Sequence, residues 1–137
     1  MNQIAIFQPV GALALLTFIV LLQVPIRRFA AKAKKQVTAS DFALGESPRV
    51  PEWVAVVNRN YMNLLESPIL FYVICLMYFV TNRVSENTLA LAWGYVGLRA
   101  AHSVIHIAYN NVMHRMLAFA ASVIVLQVLW VLFFVAG

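Results

Sequence analysis

The sequence predicts an all-α protein, an integral membrane four-helix bundle in a single domain that covers residues 1–137. Three observations predict this fold class. The chain is 63% hydrophobic and only 11% charged, whereas a soluble domain carries about 25% charged residues. Its apolar residues fall into four stretches, each with the ~20 helical residues needed to cross a bilayer. No linker or low-complexity tract divides the chain, so one compact domain is expected.

The four apolar stretches predict membrane spans at approximately 4–24, 53–80, 88–109 and 116–136. In lipid, the backbone groups of a span must be paired within the segment, which leaves helix as the structure of each. Pro25 is expected to close the first span, and Pro68 to kink the second without ending it. No basic region precedes the first span and no cleavage pattern follows it, so a retained helix is expected instead of a signal peptide.

Lysine and arginine are concentrated in the first connection between spans, and this bias predicts the orientation of the chain. Six of them lie there: Arg27, Arg28, Lys32, Lys34, Lys35 and Arg49. The second connection holds only Arg83, offset by Glu86. The first and third connections are therefore expected on the cytoplasmic side, and both termini on the other side. The basic cluster is interpreted as an anchor on anionic lipid headgroups. No aromatic interleaving supports nucleic acid as a partner.

Polar side chains form one row on each of two predicted spans. The rows are Arg59, Asn63 and Glu66 in the second span, and Arg99, His102 and His106 in the third. Their spacings of three and four residues stack each row on one helix face. A charge at membrane depth costs ~2.5–3.5 kcal/mol on insertion scales. These residues are therefore expected to face the bundle interior, a wet cavity or one another.

Glu66 and Arg99 fall at similar predicted depths, because their helices run in opposite directions. They are the expected intramembrane ion pair, within one subunit or between subunits. Both rows extend from mid-membrane to the cytoplasmic interface, where Asn110 and Arg115 continue them. These residues are mostly cationic, and the one anion, Glu66, lies at the deep end of the rows. The arrangement suits an anionic ligand that enters from the cytoplasm and whose own cationic group reaches Glu66.

Other interpretations of these residues compete. His102 and His106 have the i, i+4 spacing of a metal site on a helix, but no second helix offers a matching set of ligands, so no metal is expected. A proton path across the membrane is disfavoured because the two polar rows stop near mid-membrane. Either histidine could instead hydrogen-bond to a neighbouring helix. The single cysteine, Cys75, is interpreted as a packing residue.

The two polar rows carry a resemblance that covers essentially the whole chain. Arg59-x3-Asn63-x2-Glu66, followed by Pro68 and Phe71, resembles the second-helix signature of the MAPEG family, the membrane-associated proteins in eicosanoid and glutathione metabolism. The run Arg99-x2-His102-x3-His106, with Arg115 sixteen residues after Arg99, resembles the third-helix signature and the arginine that opens the fourth helix.

The resemblance implies a homotrimer that binds glutathione between neighbouring subunits in the cytoplasmic half of the membrane. It implies a glutathione-binding role for Arg59, Asn63, Glu66, Arg99, His102 and His106. It implies a catalytic role for Arg115, which would stabilise the glutathione thiolate. A fixed guanidinium can do so because it lowers the pKa of a nearby thiol without itself losing a proton.

Departures from the animal enzymes place the chain nearer bacterial members of unassigned activity. Some catalytic members have tyrosine where this chain has His106, and others have an aromatic residue where it has Ser67. The lipid substrates of the animal enzymes are therefore not carried over. The localisation implied is the bacterial inner membrane, with a multi-pass topology.

Two functions remain open from the sequence. The first is an enzyme that resembles glutathione transferases or peroxidases and acts on a lipophilic small molecule or a lipid hydroperoxide. The second is a non-catalytic structural or accessory subunit whose intramembrane polar residues hold helices together. A transporter is disfavoured because inverted repeats are absent and the chain is small.

Overall fold

The structure is a computed structural model that describes residues 1–136; Gly137, the last residue of the predicted domain, lies outside them. Five α-helices follow in order: α1 (Phe7–Ala33), α2 (Glu52–Leu65), α3 (Pro68–Val80), α4 (Glu86–Ala108) and α5 (Val112–Val135). Short 3-10 helices lie at Gln3–Ile6 and Ala39–Phe42. Residues 1–136 form no β-strand. The predicted all-α class is confirmed.

The helices form a four-membered bundle in which α2 and α3 together make one interrupted rod. Successive rods alternate in direction, and α4 and α5 pack together most extensively. At one end of the bundle, Asn110 Nδ2 donates to Glu52 Oε1 at 3.3 Å and joins the α4–α5 turn to the start of α2. We call this the basic end, because the lysine-rich α1–α2 connection lies there. At the opposite end, the Gln3 side chain exchanges two hydrogen bonds with the backbone of Val84.

The bundle is apolar inside and apolar outside. The core joins residues of all five helices, including Leu13, Phe71, Tyr95 and Leu129. Cys75 is buried in this core, in agreement with its predicted packing role. Large apolar side chains such as Leu15, Phe18 and Leu22 also cover the outer surface of the bundle. A surface this apolar needs lipid around it, and the chain is an integral membrane protein.

Three of the four rods are long and apolar enough to cross a membrane, namely Gln3–Ala33, Glu52–Val80 and Val112–Val135. The fourth, α4, is 23 residues long but is not among them. Its inner face carries Arg99, His102, Ser103 and His106, which lower its mean hydropathy. That α4 crosses the membrane remains a prediction. The prediction is supported by the packing of α4 against α5, which is long and apolar enough to cross.

Helix α1 continues through Pro25 to Ala33, beyond the predicted first span, whose extent within the membrane stays a prediction. A proline inside a helix removes one backbone donor and crowds the preceding turn. Here the turns after Pro25 are held by tertiary contacts. Arg27 Nη1 donates to the Trp53 carbonyl at 2.7 Å, and Ala31 packs in a small second core with Val54. These contacts with α2 keep the chain helical beyond the proline.

The second predicted span is broken and not merely kinked. Helix α2 ends at Leu65, and α3 begins at Pro68. Pro68 has no N–H to donate to the carbonyl four residues earlier. Glu66 takes ψ −91°, outside the helical region. The break leaves carbonyls in the last turn of α2 without helical partners, and the site described below uses one of them.

Helix α5 begins at Val112, a few residues before the predicted fourth span, whose bounds within the membrane stay a prediction. Asn111 caps the helix, and its Oδ1 accepts a hydrogen bond from His114 N at 3.1 Å. Arg115 therefore lies in the first turns of α5 instead of in the connection. A residue in a capped helix has a more fixed backbone than a residue in a loop.

The α1–α2 connection is organised around the buried carboxylate of Asp41. It accepts hydrogen bonds from Thr38 N and from Ser47 Oγ, both at 2.7 Å. The Thr38 backbone donor, followed by the Ser47 hydroxyl, holds the pKa of Asp41 below its ordinary value. These bonds fold residues 38–47 back against the basic end.

Replacing Asp41 by asparagine is expected to loosen the connection at neutral pH, because an amide offers one acceptor oxygen where the carboxylate offers two. Since the pKa is lowered, the stabilisation is complete above the ordinary carboxyl pKa and is lost as pH falls through the lowered value. Limited proteolysis of the detergent-solubilised protein should cut Asp41→Asn between residues 34 and 51 faster than the wild type at pH 7. Ser40→Ala serves as the control. Equal rates for Asp41→Asn and the wild type would contradict the prediction.

Candidate functional site

The α4 row faces the interior of the bundle. Arg99, His102 and His106 are all buried, and the Arg99 side chain is fully inaccessible. Their neighbours are α2 on one side and α5 on the other. The expectation that these polar groups turn away from lipid holds for this helix.

The α2 row behaves differently, because part of it faces outward. Arg59 and Glu66 are exposed on the single chain, and Asn63 is half-buried. Met62 and Leu65, which lie beside them, are exposed as well. One chain therefore presents an exposed glutamate beside Leu65 and an exposed arginine one turn from Met62. Lipid is a poor environment for either charge.

The expected ion pair between Glu66 and Arg99 is wrong within one chain. Arg99 Nη2 donates instead to the Asn63 carbonyl at 2.8 Å. That carbonyl belongs to the last turn of α2, whose ordinary helical partners are lost at the break before Pro68. Arg99 thus binds α4 to the broken end of α2. Its Nε and Nη1 have no hydrogen-bond partner among residues 1–136.

A second polar link between α2 and α4 involves residues that the sequence analysis missed. Ser103 Oγ donates to Asn60 Oδ1 at 3.1 Å, and both residues are buried. Ser103 lies four residues after Arg99 and three before His106. This spacing predicts that it shares their helix face. Asn60 adjoins Arg59 in sequence but lies on the inner side of α2. Which of these two adjacent residues faces inward depends on how α2 is rotated about its own axis in the bundle.

The two histidines form the middle of the site. Their ring centroids are 5.7 Å apart in an edge-on arrangement, and the His102 ring also lies 5.9 Å from Phe119 of α5. His106 Nε2 lies 3.1 Å from Arg115 Nη1. Arginine can only donate, so Nε2 accepts and neutral His106 carries its proton on Nδ1. His106 therefore bonds to a neighbouring helix, as one interpretation of the sequence anticipated.

Arg115 is held in place from two sides. Besides its bond to His106, Nη1 donates to Asn110 Oδ1 at 2.7 Å. Asn110 has φ +47°, in the left-handed region that asparagine tolerates better than most residues. The turn between α4 and α5 thus directs the Asn110 amide toward both Arg115 and Glu52. The guanidinium has a fixed position at the basic end.

Two cavities at the basic end approach these residues. One, of about 420 Å³, is bounded by Arg27, Glu52, Trp53, Val56, His106, Ile107, Ala108, Tyr109 and Asn110. The other, of about 330 Å³, is bounded by Arg59 and by the loop around Glu46 and Ser47. They share Glu52, Val56 and Asn110 as walls. His106 borders the first cavity and Arg59 borders the second.

The site is cationic and largely without counterions. Within residues 1–136 the only ion pair is Arg28–Glu46, at 3.5 Å. Arg59, Arg99 and Arg115 therefore have no carboxylate in direct contact. Such a site attracts an anion, and its arginines offer planar donor pairs that match carboxylates.

The structure brings together some of the sequence-predicted residues and separates others. Arg115 and His106 are in contact, with His102 adjacent, and Arg99 lies one turn deeper on the same face. Arg59 and Glu66 lie on the outer side of α2 and do not join this cluster within one chain.

The comparison with protein families gives one match, to the sequence model described as the MAPEG family, which covers residues 6–135. No curated protein and no solved structure matches the chain significantly. The match extends over all five helices and includes every residue of the candidate site.

Proposed function

The chain belongs to the MAPEG family, and from this membership we propose that it binds glutathione, or a similar anionic thiol, and activates it as a thiolate. One observation carries the proposal. The Arg115 guanidinium is held by Asn110 and His106, two residues that border a cavity at the basic end, and it has no carboxylate partner among residues 1–136. A positive charge held in this way favours thiolate over thiol.

We propose that the thiol site is completed between copies of the chain in a homotrimer. Arg59 and Glu66 are exposed on the single chain, and lipid would leave either charge poorly solvated. A neighbouring copy on this face would enclose them together with the ligand. Glu66 would then receive the amino group of glutathione, while Arg59 and Asn63 would bind its carboxylates. The deeper residues Arg99 and His102 would form the floor of the pocket.

The reaction proposed for the thiolate is addition to a lipophilic electrophile. The thiol proton leaves to water at the basic end, and the sulfur forms a bond to the electrophilic carbon. The bonding electron pair displaced from that carbon departs with a leaving group or, where there is none, takes up a proton from water. If the substrate is a lipid hydroperoxide, two glutathione thiols are oxidised to a disulfide while the hydroperoxide is reduced to an alcohol and water.

An apolar cavity suits the lipophilic substrate. It measures about 650 Å³ and lies between α3 and α5, bounded by Ser67, Leu70, Leu126, Gln127 and Trp130 among others. Ser67 directly follows Glu66, so the cavity begins beside the polar row of α2. An apolar molecule can enter it sideways from the bilayer. The thiol would approach from the basic end, which we place on the cytoplasmic side of a bacterial inner membrane.

The proposal is tested by titrating glutathione into the detergent-solubilised protein and following the ultraviolet absorbance of bound thiolate. A saturable increase at neutral pH supports the proposed site. No binding at millimolar glutathione would eliminate the enzyme function. Arg59, Glu66 and Arg99 would then be assembly residues.

A non-catalytic structural role is the second candidate, and two contacts favour it. Arg99 to the Asn63 carbonyl and Ser103 to Asn60 both join α2 to α4, as helix connectors would. Such a role needs no thiol activation. It therefore predicts that loss of the Arg115 side chain leaves assembly and stability nearly unchanged and that no thiolate signal exists to be lost.

Asn110 is expected to act as a positioning residue for Arg115. Asn110→Gly removes the amide that accepts from Arg115 but retains a residue that adopts positive φ without strain. The apparent pKa of bound glutathione should rise and the thiolate signal at pH 7 should fall about threefold, since one charge-assisted hydrogen bond is lost. Asn82→Gly is the matched control, because Asn82 also has positive φ but lies at the opposite end of the bundle. An unchanged thiol pKa in Asn110→Gly would contradict this role.

A further inference from the structure

A third cavity at the basic end lies outside the candidate thiol site. It measures about 390 Å³, within the usual range for ligand pockets. It lies between the last turns of α1 and the segment that follows them. Its walls are Val24, Pro25, Arg28, Phe29, Lys32, Val37, Thr38, Ala39 and Phe42. Most of these side chains are apolar, and the two charged ones are both basic.

The basic residues at the end of α1 and directly after it divide between two sides of the chain. Arg27 donates to the Trp53 carbonyl, and Lys34 Nζ lies 4.9 Å from the centre of the Trp53 ring. These two are engaged with α2. Arg28 and Lys32, four residues apart, lie on the other face and border the cavity. The positive charge at the cavity is therefore specific to that face and is not a general property of the connection.

Arg28 is only partly used by its protein contacts. Its guanidinium lies 4.6 Å from the centre of the Phe42 ring. Its Nη2 pairs with Glu46 Oε1 at 3.5 Å, the long limit of a hydrogen bond. Its Nε is buried and has no hydrogen-bond partner among residues 1–136. Stacking on Phe42 orients the planar group, and its remaining donors suit the oxygen atoms of a phosphate.

The position of the cavity along α1 matches the headgroup region of a bilayer. Helix α1 has 27 residues, or ~40 Å at 1.5 Å per residue, whereas the hydrocarbon core of a bilayer is ~30 Å thick. The turns after Pro25 therefore extend into the interface. Ile26 and Phe29 are 64% and 70% exposed in these turns. In these turns apolar side chains lie beside cationic ones. This arrangement is complementary to a phospholipid, in which acyl chains lie beside a phosphate.

We propose that this cavity binds one anionic phospholipid. Its phosphate lies against Arg28 and Lys32, and the first part of an acyl chain lies against Pro25, Phe29 and Phe42. The apolar walls favour a lipid over free phosphate, which would leave most of the cavity surface unmatched. The bound lipid fixes the end of α1 against the folded α1–α2 connection.

The test compares lipid retention by native mass spectrometry of the full chain, purified in detergent with dioleoyl phosphatidylglycerol or dioleoyl phosphatidylcholine. The wild type should retain one phosphatidylglycerol per chain in preference to phosphatidylcholine. The double variant Arg28→Gln/Lys32→Gln should weaken this binding at least about tenfold, because both charge-assisted contacts are lost. The control Lys34→Gln/Lys35→Gln removes the same charge outside the cavity and should bind like the wild type. Ala39→Trp, which fills the cavity without changing charge, should also lose the lipid.

Several outcomes would overturn the proposal. An equal loss in the control variant would mean general attraction of the basic connection to anionic headgroups. Competition by glycerol phosphate as effective as that by the intact lipid would mean an anion site without a chain-binding role. Dissociation of oligomers in Ala39→Trp, with lipid binding retained, would mean that a second copy of the chain occupies the groove. The oligomer size is read from the same spectra, so loss of folding is distinguished from loss of lipid.

Discussion

Replacing Arg115 by alanine is expected to remove the thiolate absorbance of bound glutathione at neutral pH. Without the guanidinium, the thiol returns toward its ordinary pKa, and only a few per cent of a free thiol is ionised at pH 7. The thiolate fraction should therefore fall at least about tenfold, equivalent to about 1.4 kcal/mol of lost stabilisation. Measured turnover should fall by the same factor or more, while the melting temperature of the protein changes little.

The variant Arg115→Lys distinguishes activation by a planar guanidinium in a fixed position from attraction by a point charge. Arg115 Nη1 contacts both Asn110 Oδ1 and His106 Nε2. A lysine ammonium is a flexible point charge and does not reproduce the planar geometry. Arg115→Lys should thus lose most of the signal. Arg83→Ala is the matched control, since Arg83 also packs against α5, 4.5 Å from the centre of the Phe133 ring, but at the opposite end. A full thiolate signal in Arg115→Lys would show that a point charge suffices and would contradict a role for the planar guanidinium.

Local patterns were sufficient to predict the all-α class and the inward-facing row on α4. Hydropathy and helical periodicity depend on neighbours in sequence, and Arg99, His102 and His106 lie on one buried face as their spacing indicates. The two prolines show what these local patterns do not predict, namely whether a helix continues through a proline or is interrupted there. Helix α1 passes through Pro25 because its later turns pack on α2, whereas Pro68 begins a new helix. Tertiary contacts decide between these outcomes, and a single sequence does not display them.

The partners of the site residues were less predictable than their positions. Arg99 was expected to pair with Glu66, within one subunit or between subunits, but within one chain Glu66 is exposed on the outer side of α2 and Arg99 binds the Asn63 carbonyl that the helix break leaves free. The link between Asn60 and Ser103 depends on how α2 is rotated relative to α4. The contact of Asn110 with Arg115 depends on a positive φ in a two-helix turn. Each of these features depends on how the backbone segments are placed in the fold, and residue type alone does not determine it.

The outward position of Glu66 makes its replacement the most informative change on α2. On one chain the carboxylate is exposed about 14 residues into the α2–α3 rod, or ~20 Å from its start. Three environments are possible for it: lipid, a neighbouring copy or the ligand. Facing lipid, the carboxylate would destabilise the protein, and Glu66→Leu would recover up to ~3 kcal/mol and raise the melting temperature. Facing a cation of a neighbouring copy, the same variant would leave that cation unpaired and weaken the oligomer.

We expect the third environment, in which Glu66 binds the amino group of glutathione. Glu66→Gln and Glu66→Leu should both weaken glutathione binding at least about tenfold, or 1.4 kcal/mol, without raising the melting temperature. Isothermal titration gives the affinity, and light scattering after gel filtration gives the oligomer size in the same preparation. Glu86→Gln, at the opposite end of the bundle, controls for the lost charge. A higher melting temperature with unchanged glutathione affinity would place the carboxylate against lipid and contradict its role in binding. Dissociation of the oligomer with unchanged affinity per chain would assign Glu66 to the contact between copies.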